Sequence, residues 1–119
     1  MYYTDTHEWL SLQGAKGTVG ITSYVQEELG AIVFIQLPQV GQKVTIGEEV
    51  CVLESTKAAA DVYAPVSGTI VAVNEEIVKF PGKINQSAET TGWLFQLTIS
   101  NLAELETLLT PAEYRAIVE

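Results

Sequence analysis

The chain has 119 residues, a length that fits one domain with a core of its own. Six Lys and Arg against fifteen Asp and Glu leave a net charge of −9, while 47% of the residues are hydrophobic. So few cations cannot assemble a phosphate-matching patch, which excludes nucleic acid as a partner and disfavours an anionic membrane surface.

A basic protein surface is the natural complement to this acidity, unless it serves solubility alone. The single cysteine, Cys51, excludes an internal disulfide, so nothing points to an oxidising compartment. Met1-Tyr2-Tyr3-Thr4-Asp5 has neither the basic-then-apolar layout of a signal peptide nor the Arg-rich pattern of a transit peptide. No apolar run is long enough to span a bilayer. The expected location is the bacterial cytoplasm or an organelle interior.

In chain order, residues 9–12 and 18–22 read as strands separated by Gly14 and Gly17. Ser23-Tyr24-Val25-Gln26 has the form of a capping box and predicts a short helix closed by Leu29-Gly30. Residues 31–37 form an apolar run ended by Pro38, and 44–46 a short strand before Gly47. Residues 50–53 and 58–63 are two apolar arms around the polar tetrad Glu54-Ser55-Thr56-Lys57, the layout of a β-hairpin. Strands at 69–73 and 94–99 complete the set, with Pro38 and Pro65 at strand ends, where a missing N–H does least harm.

Asn101 is placed to cap a helix through Leu109, and Thr110-Pro111-Ala112-Glu113 to start another. Leu102, Leu105, Leu108 and Leu109 form its apolar stripe. Val40-Gly41-Gln42-Lys43-Val44 before the hairpin resembles Val66-Ser67-Gly68-Thr69-Ile70 after it, which suggests two similar sheets related through the hairpin. The expected fold is mainly β, a small sandwich or flattened barrel with a short internal helix and C-terminal helices. One domain is expected over residues 1–119, its hairpin at about 50–63 and its helical tail at about 101–118.

Lys57 stands at the hairpin tip with Glu54 ahead of it, Ala58 after it and Asp61 further on. A Schiff-base lysine requires desolvation to lower its pKa, which a polar tip does not supply. A lysine destined for acylation needs no such tuning; it needs protrusion and a rigid frame. His7 is the only histidine, which excludes a multi-histidine metal site and leaves it a packing or surface role. Cys51, Trp9 and Trp93 are expected in the core.

Glu54-Ser55-Thr56-Lys57-Ala58, with Tyr63-Ala64-Pro65-Val66-Ser67-Gly68 downstream, resembles the lipoylation site of the glycine cleavage system H proteins. Thr6-His7-Glu8-Trp9, Val19-Gly20-Ile21-Thr22, Leu29-Gly30, Leu37-Pro38 and Gly92-Trp93 extend the likeness colinearly over nearly the whole chain. The resemblance implies a lipoyl/biotinyl-domain-like fold, a flattened β-barrel or sandwich of two antiparallel sheets, and lipoic acid in amide linkage to Lys57. It further implies a carrier that is not itself an enzyme, moving the aminomethyl group of glycine from glycine decarboxylase to aminomethyltransferase. Dihydrolipoyl dehydrogenase and a lipoyl-attaching enzyme are the further partners it implies, and a monomer is expected. Glu54 takes the role of a recognition contact for lipoylation, and Glu8 and Asp61 belong to the environment of the lipoyl arm.

A biotin carrier shares this architecture, but there methionine normally flanks the lysine, whereas here Thr56 and Ala58 do. A lipoyl domain of a 2-oxoacid dehydrogenase usually reads Asp-Lys-Ala at the tip and lacks the Gly92-Trp93 context. Three departures from the H-protein pattern stand out: Ala88-Glu89-Thr90-Thr91 where Pro-Tyr-Gly is usual, Ala60 in place of serine, and Ala31 in place of an acid. They keep a second destination open, a lipoyl donor or relay supplying 2-oxoacid dehydrogenases or another lipoyl-dependent process.

Overall fold

Apolar residues alternate along the strand-forming runs, and two sheets bury them against one another. The computed structural model describes residues 1–118. The elements are β1 (Tyr2–Tyr3), β2 (Glu8–Gln13), β3 (Lys16–Ile21), α1 (Ser23–Leu29), β4 (Ile32–Gln36), β5 (Lys43–Val44), β6 (Glu49–Ser55) and β7 (Ala59–Tyr63). They continue as β8 (Gly68–Val73), α2 (Glu75–Lys79), α3 (Gly82–Gln86), β9 (Phe95–Ile99), a 3-10 turn (Leu102–Thr107) and α4 (Pro111–Val118).

One sheet has the order β1-β2-β3-β9-β8-β5 and the other β4-β6-β7, with antiparallel neighbours throughout. The two antiparallel sheets with short helices are the expected sandwich. The barrel half of the expectation is corrected, because the larger sheet ends in two-residue strands, β1 and β5, that do not pair with each other. Leu10, Val19, Ile70, Phe95 and Leu97 fill the core from the larger sheet, and Ile35, Cys51, Leu53 and Val62 from the smaller.

The sheets are not two similar halves, since one has six strands and the other three. Gly41 and Gly68 nonetheless lie close together: Gly41 N–H donates to Ile70 (2.7 Å), and β5 pairs with β8. Gly68 is required there because any Cβ would collide with the Thr98 carbonyl oxygen on β9.

The cap of α1 is Thr22, one residue before the predicted Ser23. Its hydroxyl accepts from the Val25 N–H at 3.5 Å, and Ser23 becomes the first helical residue. Asn101 caps as predicted, its side chain accepting from Ala103 N–H at 3.2 Å. The element it opens is a 3-10 turn that stops at Thr107 instead of a helix through Leu109. Leu109 is drawn off to exchange backbone hydrogen bonds with Tyr3, so the chain straightens there. The leucine stripe is correspondingly broken: Leu105 and Leu108 pack on the core, while Leu102 is exposed. Trp9 is buried as expected, with its indole N–H donating to the Ala88 carbonyl at 3.0 Å. Trp93 is only half-buried, which corrects its placement in the core.

Candidate functional site

The predicted hairpin forms from β6 and β7, with Leu53 facing Ala60 and Cys51 facing Val62 on the buried side. Ser55 builds the tip. Its N–H donates to the Ala58 carbonyl (2.8 Å), and its hydroxyl oxygen accepts from the N–H groups of Lys57 (3.1 Å) and Ala58 (3.0 Å). A short hydroxyl side chain thereby substitutes for backbone partners the turn lacks. Lys57 is exposed, and the one ion pair among the described residues lies elsewhere, between Lys83 and Glu76 at 2.9 Å. Its ammonium is presented to solvent by a turn that is itself fixed.

The tip is also braced from outside the hairpin. Thr56 N–H donates to the Ala31 carbonyl (3.2 Å) in the turn between α1 and β4. Asn85 on α3 clasps that turn on both sides of Ala31, donating to the Gly30 carbonyl (2.7 Å) and accepting from Ile32 N–H (2.9 Å). Gly30 has φ of 76°, and a Cβ there would stand 3.0 Å from Lys57 Cε, so the lysine stem lies over the bare glycine. Of the sequence departures, Ala31 and Ala60 lie at this end of the molecule. Glu89 does not: it accepts from Ser23 N–H (2.8 Å) at the far end of α1 and from the Tyr3 hydroxyl (3.4 Å).

Glu8 lies elsewhere, buried at the start of β2. The hydroxyls of Thr4 and Thr6 both donate to its Oε1, and Tyr63 N–H donates to Oε2 at 3.2 Å. Burial pushes its carboxyl above the ordinary glutamate range, the largest effect, while these three donors pull the other way. The carboxylate forms part of the wall of a cleft of about 410 Å³, together with Thr4, Thr6, Tyr63, Pro65 and Leu108 among others. Glu104 lies behind the cleft residue Ile46. It accepts from Ser67 N–H (2.7 Å) and the Ser67 hydroxyl (2.9 Å), and Ser67 Oγ accepts from Ile46 N–H (2.9 Å).

The four residues singled out from the sequence therefore fall in three places. Glu54 is exposed and lies opposite Phe34 and Ala59 in the register, next to the tip that carries Lys57. Glu8 lies in the cleft. Asp61 is exposed on β7, opposite Val52, and does not line that cleft. Its neighbour is Glu49, whose carboxyl is raised by hydrogen bonding to Asp61 and by the repulsion between them. β7 links the three: it starts beside the lysine, carries Asp61, and ends with the Tyr63 N–H that holds Glu8.

His7 is half-buried with φ of 73°, its Nδ1 within 2.8 Å of the Tyr114 hydroxyl, and so fastens α4 to the start of β2. Cys51 is a core residue whose thiol burial pushes up to about 12.

The Glycine cleavage H-protein family model matches residues 1–119. The glycine cleavage system H protein of Bartonella quintana is 48% identical over 118 residues, 99% of this chain and 97% of that protein. The one from Thermotoga maritima is 52% identical over 113 residues, covering 95% and 91%. The crystal structure of a glycine cleavage system H protein from Mycobacterium marinum superposes with a TM-score of 0.88 at 41% identity, covering 97% of this chain and 93% of that one.

Proposed function

This chain belongs to the glycine cleavage H-protein family, and on that footing we propose that it is a lipoyl carrier of glycine cleavage, with lipoic acid in amide linkage to Lys57. Its task in this reading is to take up the aminomethyl group of glycine at glycine decarboxylase and deliver it to aminomethyltransferase. Dihydrolipoyl dehydrogenase and a lipoyl-attaching enzyme are its other partners. It works as a monomer in the bacterial cytoplasm or an organelle interior, and it catalyses no step itself. The single observation that carries the reading is Lys57, unpaired and exposed on a tip that Ser55, Ala31 and Asn85 hold rigid.

The tip suits an amide-linked group. Among the described residues the ammonium has no ion pair to surrender on acylation, and the stem already lies clear of the core over Gly30. Once attached, the lipoyl group supplies a disulfide that opens to accept a one-carbon unit and a dithiol that can be reoxidised. The chain contributes presentation and shelter. Tethering a reactant to Lys57 replaces free diffusion with an effective concentration of order mM at each partner.

Glu8, held from three sides, offers a fixed carboxylate to any ammonium group brought into the cleft. Such a cation would lower the carboxyl again, undoing the effect of burial. Asp61, on the strand between tip and cleft, adds negative charge along the way. Glu54, beside the tip, serves recognition during attachment.

The test is intact mass after co-expression with a lipoyl-attaching enzyme. The natural chain gains one lipoyl increment, and Lys57→Arg gains none although it keeps the positive charge. A natural chain that gains no mass, or a Lys57→Arg variant that gains it elsewhere, removes the carrier assignment.

A further inference from the structure

The three-stranded sheet has one face in the core and one in water. Its outer rows can be read from the register: Phe34–Glu54–Ala59 nearest the tip, then Gln36–Val52–Asp61. Val52 is half-buried and the other five residues are exposed. A bulge between Ile32 and Phe34 breaks the alternation of β4, so two successive apolar residues face solvent, Val33 at 54% exposure and Phe34 at 51%. With Ala58 and Ala59 also exposed beside Glu54, they make an apolar band directly below the lysine. β4, β6 and β7 contain Glu49, Glu54 and Asp61 and no lysine or arginine. Adjoining exposed apolar residues rimmed by charge of one sign have the character of a docking surface.

We propose that the docking of the lipoyl-attaching enzyme extends beyond Glu54 across this outer face, with Phe34 as its apolar anchor. The proposal rests on the carrier reading above. Distance selects the occupant. Enzymes that use the finished arm meet its far end, many bonds away from the hairpin. The attaching enzyme alone must bring its own reacting atoms up to the bare Lys57 nitrogen. There the deprotonated Nζ attacks the acyl carbon of a lipoyl adenylate, the mixed anhydride that the enzyme forms from ATP and lipoate. The bond from acyl carbon to phosphate oxygen breaks, AMP leaves, and the second proton passes from the nitrogen to a base on the enzyme. A protein that close to the tip covers the adjoining row of side chains. The chemistry of the face defines its counterpart: an apolar notch for the Phe34 ring, beside cations that meet Glu54 and Asp61.

The experiment measures acylation of the unmodified chain by purified lipoate ligase with ATP and lipoate. Rates are read by intact mass as the chain concentration is varied. Phe34→Ser raises KM by about tenfold, the effect of losing one well-packed aromatic anchor, with kcat nearly unchanged. Phe34→Lys, which sets a cation against the partner's cations, raises KM further. Ile117→Ser removes an equally exposed residue (52%) on α4 and leaves KM as it was.

Natural KM in both Phe34 variants overturns the docking face, as does an equal rise in Ile117→Ser. A Phe34 defect confined to turnover with glycine decarboxylase also overturns it. A natural chain that is never acylated removes the carrier reading itself, which is a different failure. A matching thermal melt for each variant ties any change in KM to the surface.

Discussion

The two ends of β7 treat their polar groups in opposite ways. At one end Lys57 stands in water, in no ion pair among the described residues, and the order lies in the turn beneath it, held by the Ser55 hydroxyl. At the other, Glu8 is buried and its carboxylate is gripped by Thr4, Thr6 and Tyr63. The tip fixes a position and leaves the lysine head in water. The cleft fixes a charge, and burial shifts its proton affinity. One strand thus joins an exposed lysine to a buried carboxylate, and the two can be perturbed separately.

The largest expected effect comes from breaking what they share. Leu53 is fully buried on β6 and faces Ala60 on β7. Leu53→Ala is expected to cost about 2–5 kcal/mol of stability in urea unfolding, because it opens a cavity in the core beneath the hairpin. A loss below about 1 kcal/mol would mean that tip and cleft do not share this root.

Asn85→Ala should separate the two ends. It leaves the Gly30 carbonyl and Ile32 N–H without their partner and is expected to cost about 1–3 kcal/mol. In hydrogen exchange, the amides of Ile32 and Thr56 open faster while that of Tyr63 keeps its protection. Equal acceleration at Tyr63 would show that the brace serves the whole sheet and not the tip.

Glu8→Gln acts at the other end and has the smallest effect, visible in the pH profile. Burial raises the Glu8 carboxyl, so just above the ordinary glutamate range the native state holds a proton that the unfolded chain has lost. Stability conferred by that proton is present at lower pH and falls as pH rises through the window. In Glu8→Gln the amide oxygen keeps the Tyr63 N–H and the amide nitrogen donates to the threonine hydroxyls. Its unfolding free energy is therefore flatter across the window, measured as urea midpoints at a series of pH values. An unchanged slope would place the titration elsewhere.

The tip is readable in the sequence because its signal is local: a polar tetrad between apolar arms, with Ser55 close enough to hold its own turn. The braces are not, because each joins residues distant along the chain. Asn85 reaches Gly30 across 55 residues, Glu104 reaches Ser67 across 37, and Glu89 reaches Ser23 across 66. Glu8 is picked out only by its resemblance to a family; nothing near it in the sequence announces the Tyr63 N–H that completes its surroundings. α2 and α3 are hidden for a related reason. Each has five residues, with Phe80-Pro81 falling between them, and their single buried residues, Ile77 and Ile84, set up no periodicity. The bulge in β4 leaves no trace in the sequence because an apolar run looks the same whether it is buried or turned outward.

Cys51 acquires a further meaning when the proposed cargo is considered. A disulfide ring on a long tether sweeps through the space around its own carrier, and any thiolate within reach is a rival for it. Thiol–disulfide exchange needs the attacking sulfur deprotonated and accessible. The chain has one cysteine, and it is sealed in the core with its thiol pushed up to about 12. In the proposed carrier the chain itself would therefore be chemically silent toward its disulfide cargo, and redox traffic on the arm would be left to the partners.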